Sequence, residues 1–297
     1  MLKNIVAIAL LMGILAGCEK DITIDLPESE RKTVIEGWIE NGDYAMVLIT
    51  RNSPYFSKID SAAIIDMILI NAKVTLTDGV QTEVLDPPPF PIPNNWDYFP
   101  PYVYKGKVIK GEVGKTYTLT VEADDQTYMA VTTIPAPVRF DSLWIEKNPA
   151  KGDTLGMLWA RFTDGPDLGD YYRIFTKRIG NDRKFLPIMG SVYEDKFFNG
   201  KTFDFSMYRG FETLTDESQF EGPAAEEIGY FKVGDQIAVK LCAIDRAHFA
   251  FWRAAEAEFF TGGNPFATPA KIPTNFTGGA LGYFGGYGAT IDTLLVE

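Results

Sequence analysis

Apolar and polar side chains alternate at every second residue over much of the chain between residues 32 and 135. Tyr117, Leu119 and Val121 alternate with threonines, and similar runs are joined by turn sequences such as Asp78-Gly79. A period of two residues is that of a β-strand with one buried face, and no helical pattern of comparable strength interrupts it. We therefore predict an antiparallel β-sandwich of immunoglobulin-like or transthyretin-like kind over residues 32–135.

A proline pair interrupts this pattern at Pro135-Ala136-Pro137. Because proline lacks the backbone N–H that a β-ladder needs, we place a domain boundary there and assign residues 136–297 to a second domain. Strand-like runs continue in this part at residues 156–162, 171–178 and 236–244. The second domain is therefore predicted to be β-rich.

One helix is predicted after residue 244. Asp245 can cap its N-terminus, Phe251, Ala255 and Phe259 recur every four residues, and Gly262-Gly263 can end it. A later run rich in glycine, tyrosine and phenylalanine predicts a tightly packed C-terminal strand and turn. The expected fold class is all-β, with an N-terminal sandwich and a C-terminal β-rich domain that carries one packed helix.

The N-terminus has the pattern of an export signal. Lys3 precedes eleven mostly apolar residues, Ile5–Leu15, which as a helix would cover only about half of a ~30 Å hydrocarbon core. The following Leu15-Ala16-Gly17-Cys18 resembles a bacterial lipobox. We predict that residues 1–17 are a lipoprotein signal peptide, that Cys18 is acylated, and that residues 18–31 form a tether to the membrane.

The charged residues Glu19, Lys20 and Asp21 follow the predicted lipid attachment site. They resemble the short signal that directs lipoproteins of the Bacteroidota to the outer face of the outer membrane. The alternative is an ordinary solvated tether. The first reading predicts a lipid-anchored outer-membrane protein exposed at the cell surface.

Composition argues against several classes of function. The formal net charge of −12 disfavours binding to nucleic acids, and a single histidine disfavours triads and imidazole-based metal sites. No nucleophile elbow, P-loop, zinc-protease or dinucleotide motif is present. We therefore expect no enzyme activity, no cofactor and no metal.

Two groups of residues have metal-binding chemistry but are also compatible with structural roles. His248 and Cys242 supply two soft ligands where a closed zinc site needs four, which favours a packed or surface histidine. Asp164, Asp167 and Asp170 lie in one loop whose spacing does not fit an EF-hand, and aspartate is a common turn residue. A structural calcium site in this loop remains the less favoured alternative.

The most unusual stretch is rich in proline and aromatic residues, between residues 86 and 104. Proline holds such a segment extended while rings project from it, which suits stacking on sugars or docking to a partner. The alternative is that the rings fold back and plug one end of the sandwich. The candidate binding residues are Trp96, Tyr98, Phe99, Tyr102 and Tyr104.

Several motifs together resemble one known family. These are the lipobox, Val34–Gly37, Ala72–Leu76, Gly114–Leu119, Asp170–Arg173, Asp195 with Asn199–Lys201, Phe251-Trp252, Asn264–Phe266 and the closing run Gly278–Phe284. The chain is similar over most of its length to the Bacteroidota outer-membrane lipoprotein family catalogued as domain of unknown function 4249. The family carries no assigned catalytic residues.

The resemblance implies a function and partners. Members are commonly encoded beside TonB-dependent transporters, so it implies a ligand-capture or lid accessory of such a transporter. The expected partners are the outer membrane, the transporter and a small-molecule, glycan or peptide ligand. The first alternative is a structural or assembly subunit of an outer-membrane complex, and the second is a secreted-side hydrolase.

Overall fold

The computed structural model describes residues 30–53, 66–89, 102–147, 154–210, 227–261 and 271–297. The strands are β1 (Thr33–Glu40), β2 (Tyr44–Arg51), β3 (Lys73–Thr77), β4 (Thr82–Val84), β5 (Val103–Lys110), β6 (Thr116–Ala123), β7 (Gln126–Thr133), β8 (Ser142–Lys147), β9 (Leu155–Thr163), β10 (Tyr171–Arg178), β11 (Leu186–Glu194), β12 (Thr202–Met207), β13 (Phe231–Lys232), β14 (Gln236–Ile244) and β15 (Leu281–Leu295). The helix that lies wholly within these ranges is α1 (Arg246–Thr261), and a 3-10 turn covers Asp195–Phe197. These elements confirm the expected all-β fold with one packed helix.

The strands form three sheets. The largest has seven strands in the order β11-β10-β14-β15-β1-β2-β5, in which β15 runs parallel to β1 and antiparallel to β14. A second sheet has the order β4-β3-β6-β7. In the third, β9 pairs with β8 along one side and with β12 and β13 along the other.

A first hydrophobic core joins part of the seven-stranded sheet to the sheet around β6. Val47 and Leu119, on β2 and β6, are fully buried in it, as the alternation of burial along both strands requires. The two sheets thus enclose their apolar faces, as in a β-sandwich.

A second core joins the same face of the seven-stranded sheet, farther along, to the sheet around β9. Leu241 of β14 and Leu158 of β9 are buried in it, surrounded by aromatic residues. Phe162 contacts Phe203 and Tyr172 edge-on, with ring centroids 6.1 and 5.1 Å apart. Such edge-to-face pairs are favourable beyond the area they bury.

Helix α1 packs against the opposite face of the seven-stranded sheet. Asp245 caps it as predicted, because its Oδ1 accepts the backbone N–H of His248 at 2.8 Å. Phe249 of the helix packs in a third cluster with Phe175 and Tyr287 of the sheet. Of the predicted apolar side, Phe251 is buried and Ala255 is partly buried, whereas Phe259 is 49% exposed. The helix therefore buries its first two turns more than its last.

Strand β15 connects the two large cores. Its Phe284 lies in the first core, and Leu294 packs against the second. Glycine permits this close packing: a Cβ on Gly285 would lie 2.1 Å from the His248 ring, and one on Gly288 would lie 2.3 Å from the Pro135 carbonyl oxygen. This is the packed C-terminal strand that the glycine-rich run predicts.

The seven-stranded sheet crosses the predicted domain boundary near residue 135. Strands β1, β2 and β5 precede that position, whereas β10, β11, β14 and β15 follow it. Residues 31–297 form one compact unit. The proline pair therefore marks a passage between two cores of one body, which corrects the expected division into domains 32–135 and 136–297.

Candidate functional site

Most of the predicted site residues lie outside the described residues. These are Cys18, Glu19, Lys20, Asp21, Trp96, Tyr98 and Phe99. Their roles in lipid attachment, export and binding stay predictions. Within the described ranges, none of the helices combines the length and apolar character that a transmembrane span requires.

Of the two remaining candidates, Tyr102 directly precedes β5 and Tyr104 is the second residue of that strand. Tyr102 is partly exposed, whereas Tyr104 is fully buried in the first core. The Tyr104 hydroxyl donates to the Leu69 carbonyl at 3.0 Å and accepts the Ala72 N–H at 2.8 Å, and burial raises its pKa. Tyr104 therefore supports a turn from inside the core, which corrects its assignment as a binding residue.

An acidic cluster forms where the loop after β9 meets the turn after β11. The carboxylates of Asp164, Asp170 and Asp195 each place an oxygen within 4.8 Å of the others. Asp164 and Asp195 are buried, and Asp170 is partly buried. The sequence reading anticipated the loop residues but not Asp195, which is 25 residues away in the chain.

Backbone and hydroxyl groups already bind these carboxylates. Asp195 Oδ2 accepts the N–H groups of Gly169 and Asp170 at 2.7 and 3.0 Å. Asp164 accepts the Tyr172 hydroxyl at 2.5 Å and the Gly200 N–H at 3.1 Å. The cluster therefore fastens the loop after β9 to the turn at residues 195–201.

The charges of this cluster are only partly compensated. Burial, followed by the charge of Asp164, raises the pKa of Asp170 above its ordinary value. Oxygen ligands of this kind are those that calcium takes. The described geometry allows a cation but is already explained by the hydrogen bonds that join the two loops.

His248 of α1 and Cys242 of β14 are both buried where the helix packs on the sheet. The His248 ring stacks on Tyr283 at a centroid distance of 4.8 Å, and burial lowers its pKa well below the ordinary value. Burial raises the pKa of the Cys242 thiol to about 12. A neutral packed histidine and an un-ionised thiol agree with the structural roles expected for both residues.

A shallow groove of about 430 Å³ runs beside α1. It is lined by Tyr171, Glu194, Arg246, Phe249, Ala250, Arg253, Ala254 and Ala257. Arg253 is already paired with Glu194 at 3.1 Å, and Phe249 is 7% exposed beneath Tyr171. The groove therefore offers little free aromatic surface to a ligand.

Two tryptophans occupy adjacent positions on the outer face of the third sheet. Trp144 of β8 pairs with Trp159 of β9 across the strands, and their rings are nearly parallel at 20° with centroids 6.1 Å apart. Leu158 and Ala160, which flank Trp159, are buried in the second core. Because successive strand residues point to opposite faces, both tryptophans point away from that core.

Polar groups surround this tryptophan pair on the same face. Glu146 accepts the Trp144 indole N–H at 3.2 Å. Arg161 forms a two-point ion pair with Asp204 of β12 at 2.7 and 2.8 Å. We call Trp144, Glu146, Trp159, Arg161 and Asp204 the tryptophan face.

The alternation of the sequence could have located the tryptophan face. In the predicted strand over residues 156–162, Leu158, Ala160 and Phe162 form the inward set, which leaves Trp159 outward. The strand that carries Trp144 was not predicted, so its alignment beside Trp159 could not be known.

A family model supports the resemblance seen in the sequence. The model described as domain of unknown function DUF4249 matches residues 19–292, a range that spans both hydrophobic cores. No curated protein matches the chain significantly. The chain belongs to the DUF4249 family of proteins.

Proposed function

We propose that this protein is a surface-exposed outer-membrane lipoprotein that captures a ligand for a TonB-dependent transporter. The anchoring part rests on Leu15-Ala16-Gly17-Cys18 and the following Glu19-Lys20-Asp21. The observation that carries the capture role is the outward pair Trp144 and Trp159. Both side chains point away from the core and are partly exposed, and apolar surface left exposed in this way is a basis for proposing a binding site.

The proposed tether limits where the ligand is held. Residues 18–31 make fourteen residues, which span at most about 50 Å when fully extended. A body attached through this segment stays within that distance of the lipid headgroups. It can therefore pass a ligand directly only to a transporter whose extracellular rim lies within that distance.

Lipid attachment is tested by fractionation of the native cells. Full-length protein should partition into the membrane fraction and carry acyl chains on Cys18, and Cys18→Ala should abolish both properties. Mass spectrometry of the N-terminal peptide is the direct measurement. Recovery of the native protein in the aqueous fraction with Cys18 unmodified would exclude the anchored role.

The partner is tested by affinity purification from native membranes in mild detergent. The expected result is co-elution of a TonB-dependent transporter with the wild-type protein. Co-elution with no ligand bound by either protein would instead favour a structural or assembly subunit. Absence of any transporter across repeated purifications would contradict the proposed partner.

A further inference from the structure

We infer that the tryptophan face is a carbohydrate-binding surface on which Trp144 and Trp159 stack against sugar rings of a neutral glycan. This inference depends on the proposed function in one respect, namely that the bound glycan is delivered to a transporter. The binding surface itself is argued from the described residues. It specifies which part of the body makes contact with the ligand and which chemical class the ligand has.

The aromatic geometry is the first step of the argument. The two indole rings stack on each other across neighbouring strands, 20° from parallel with centroids 6.1 Å apart, and both side chains are partly exposed. The ring surface that stays exposed on the two tryptophans is apolar. Their cross-strand pairing fixes the distance between the rings before any ligand arrives. A sugar ring presents C–H groups on its faces, which suit the negative face of an aromatic ring.

Hydrogen-bonding groups at the edge of the rings are the second step. The Arg161 and Asp204 side chains are 53% and 36% exposed while bonded to each other, so both retain access to solvent. Arginine has five N–H donors, of which two point at Asp204 in this pair. The ion pair therefore holds donors and acceptors ready for hydroxyl groups without further ordering.

Charge selects the ligand class. The tryptophan face carries one cation, Arg161, against the two anions Glu146 and Asp204, on a protein with a formal net charge of −12. Nucleic acids also stack on tryptophan, but their phosphates would be repelled here. An uncharged oligosaccharide can stack its sugar rings on the tryptophans and form hydrogen bonds with the polar groups beside them.

The position of the tryptophan face within the sheet argues against a peptide. Peptides are usually held through pairing with a strand edge or through grooves that take their side chains. Trp144 and Trp159 instead lie on the broad face of a sheet, and β9 is paired on both sides. The position of the rings therefore favours a ligand that contacts side chains of neighbouring strands.

The test uses the full chain and a panel of neutral oligosaccharides that includes cellohexaose, maltohexaose and xylohexaose. Calorimetry should detect saturable binding of at least one panel member, together with a change in tryptophan fluorescence. Trp144→Ala and Trp159→Ala should each weaken that binding about tenfold or more, because each removes a stacked ring. Trp38→Phe is the matched control, since Trp38 packs against the cluster beneath α1 and should leave affinity unchanged.

A second measurement covers the case in which an alanine variant does not fold. A chain with Trp38, Trp96 and Trp252 changed to phenylalanine keeps only the two tryptophans of the face. The bound glycan should then protect the remaining fluorescence from acrylamide. Binding without protection would place the glycan elsewhere and overturn the inference.

Other results also overturn it. These are no binding across the panel, unchanged affinity in both alanine variants, or preferential binding of a polyanion or an acidic peptide at this face. Transporter co-elution is scored separately. Co-elution without glycan binding would contradict this inference and support the transporter partnership. Glycan binding without co-elution would support this inference and contradict the partnership.

Discussion

The two large cores lie against one face of the same seven-stranded sheet, yet they are built from different side chains. The first depends on aliphatic residues of β1, β2, β3 and β6, together with tyrosines whose hydroxyls bind turns. The second is filled by aromatic rings in mutual contact, including Phe162, Tyr172 and Phe203. The comparison shows that one sheet can support two different packing solutions in a single body.

The outer faces of the two smaller sheets differ as well. On the sheet around β6, Thr75 and Thr120 face each other across the strands, where the sheet around β9 has Trp144 and Trp159. Threonine is a common residue for the solvent side of a strand, whereas tryptophan is usually well buried and here stays partly exposed. We interpret the outer face of the sheet around β6 as structural and that of the sheet around β9 as a candidate binding surface.

The largest expected effect comes from truncating a buried side chain in each core. Phe162→Ala should lower the free energy of unfolding by about 3–5 kcal/mol, and Leu119→Ala by about 2–5 kcal/mol, because each leaves a cavity. Both variants should unfold in one transition in urea, followed by circular dichroism. Two separate transitions would show that the cores are independent domains and would restore the boundary near residue 135.

A smaller loss is expected at the point where β15 passes beneath the helix. Gly285→Ala should cost about 1–3 kcal/mol, because the new methyl group meets the His248 ring, which is packed on Tyr283 and Tyr287. The matched test is the same change combined with His248→Ala. If the loss from Gly285→Ala is as large in that background, the clash with His248 is not its cause.

The paired outer faces give a third test. A double-mutant cycle with Trp144→Leu and Trp159→Leu should yield a coupling of about 0.5–1.5 kcal/mol, since aromatic pairs are favourable beyond their area. The same cycle on Thr75 and Thr120, with alanine, should yield about 0.2–1 kcal/mol. Equal couplings from thermal or urea unfolding would mean that the indole rings interact no more than two hydroxyl side chains.

The smallest expected effect concerns the acidic cluster of Asp164, Asp170 and Asp195. The pKa of Asp170 is raised from 3.8 by burial and by the charge of Asp164, so its ionised form opposes folding at neutral pH. The stability that its protonated form contributes is present below pH 3.8 and is lost as the pH rises through the higher folded-state pKa. Asp170→Asn should therefore raise the melting temperature at pH 7, and the difference should disappear in acid.

Calcium provides the control for that measurement. The melting temperature of the wild-type protein should be the same with calcium and with chelator if protons and hydrogen bonds balance the cluster. Stabilisation of the wild type by calcium, absent in Asp170→Asn, would show that a cation takes this role. That outcome would revive the calcium alternative for the loop after β9.

The positions of many strands could be predicted from the sequence, because burial of one face leaves a clear pattern of apolar residues. The strands predicted at residues 156–162, 171–178 and 236–244 agree with β9, β10 and β14 to within one residue. Asp245 and the four-residue spacing after it likewise locate α1. These signals are local, so they can be recognised without knowing which other strands or helices an element contacts.

The features that were missed depend on contacts between distant residues. The pairing of β15 with β1 joins residues 281–287 to residues 34–40, and no local pattern in either strand specifies it. Asp195 joins Asp164 only because the turn after β11 meets the loop after β9. Tyr104 was misread because proline-rich neighbours suggested exposure, whereas its hydroxyl is satisfied inside the core by Leu69 and Ala72.

The position of β15 also sets the order of events during biosynthesis. Residues 281–295 lie in the middle of the largest sheet, with β14 on one side and β1 on the other. Synthesis and the proposed export both deliver β1 before β15, so β1 lacks its central neighbour until almost all of the remaining chain has emerged. A nascent polypeptide lacking this strand has two incomplete half-sheets with open edges, which keeps it from reaching the native state before synthesis is nearly finished.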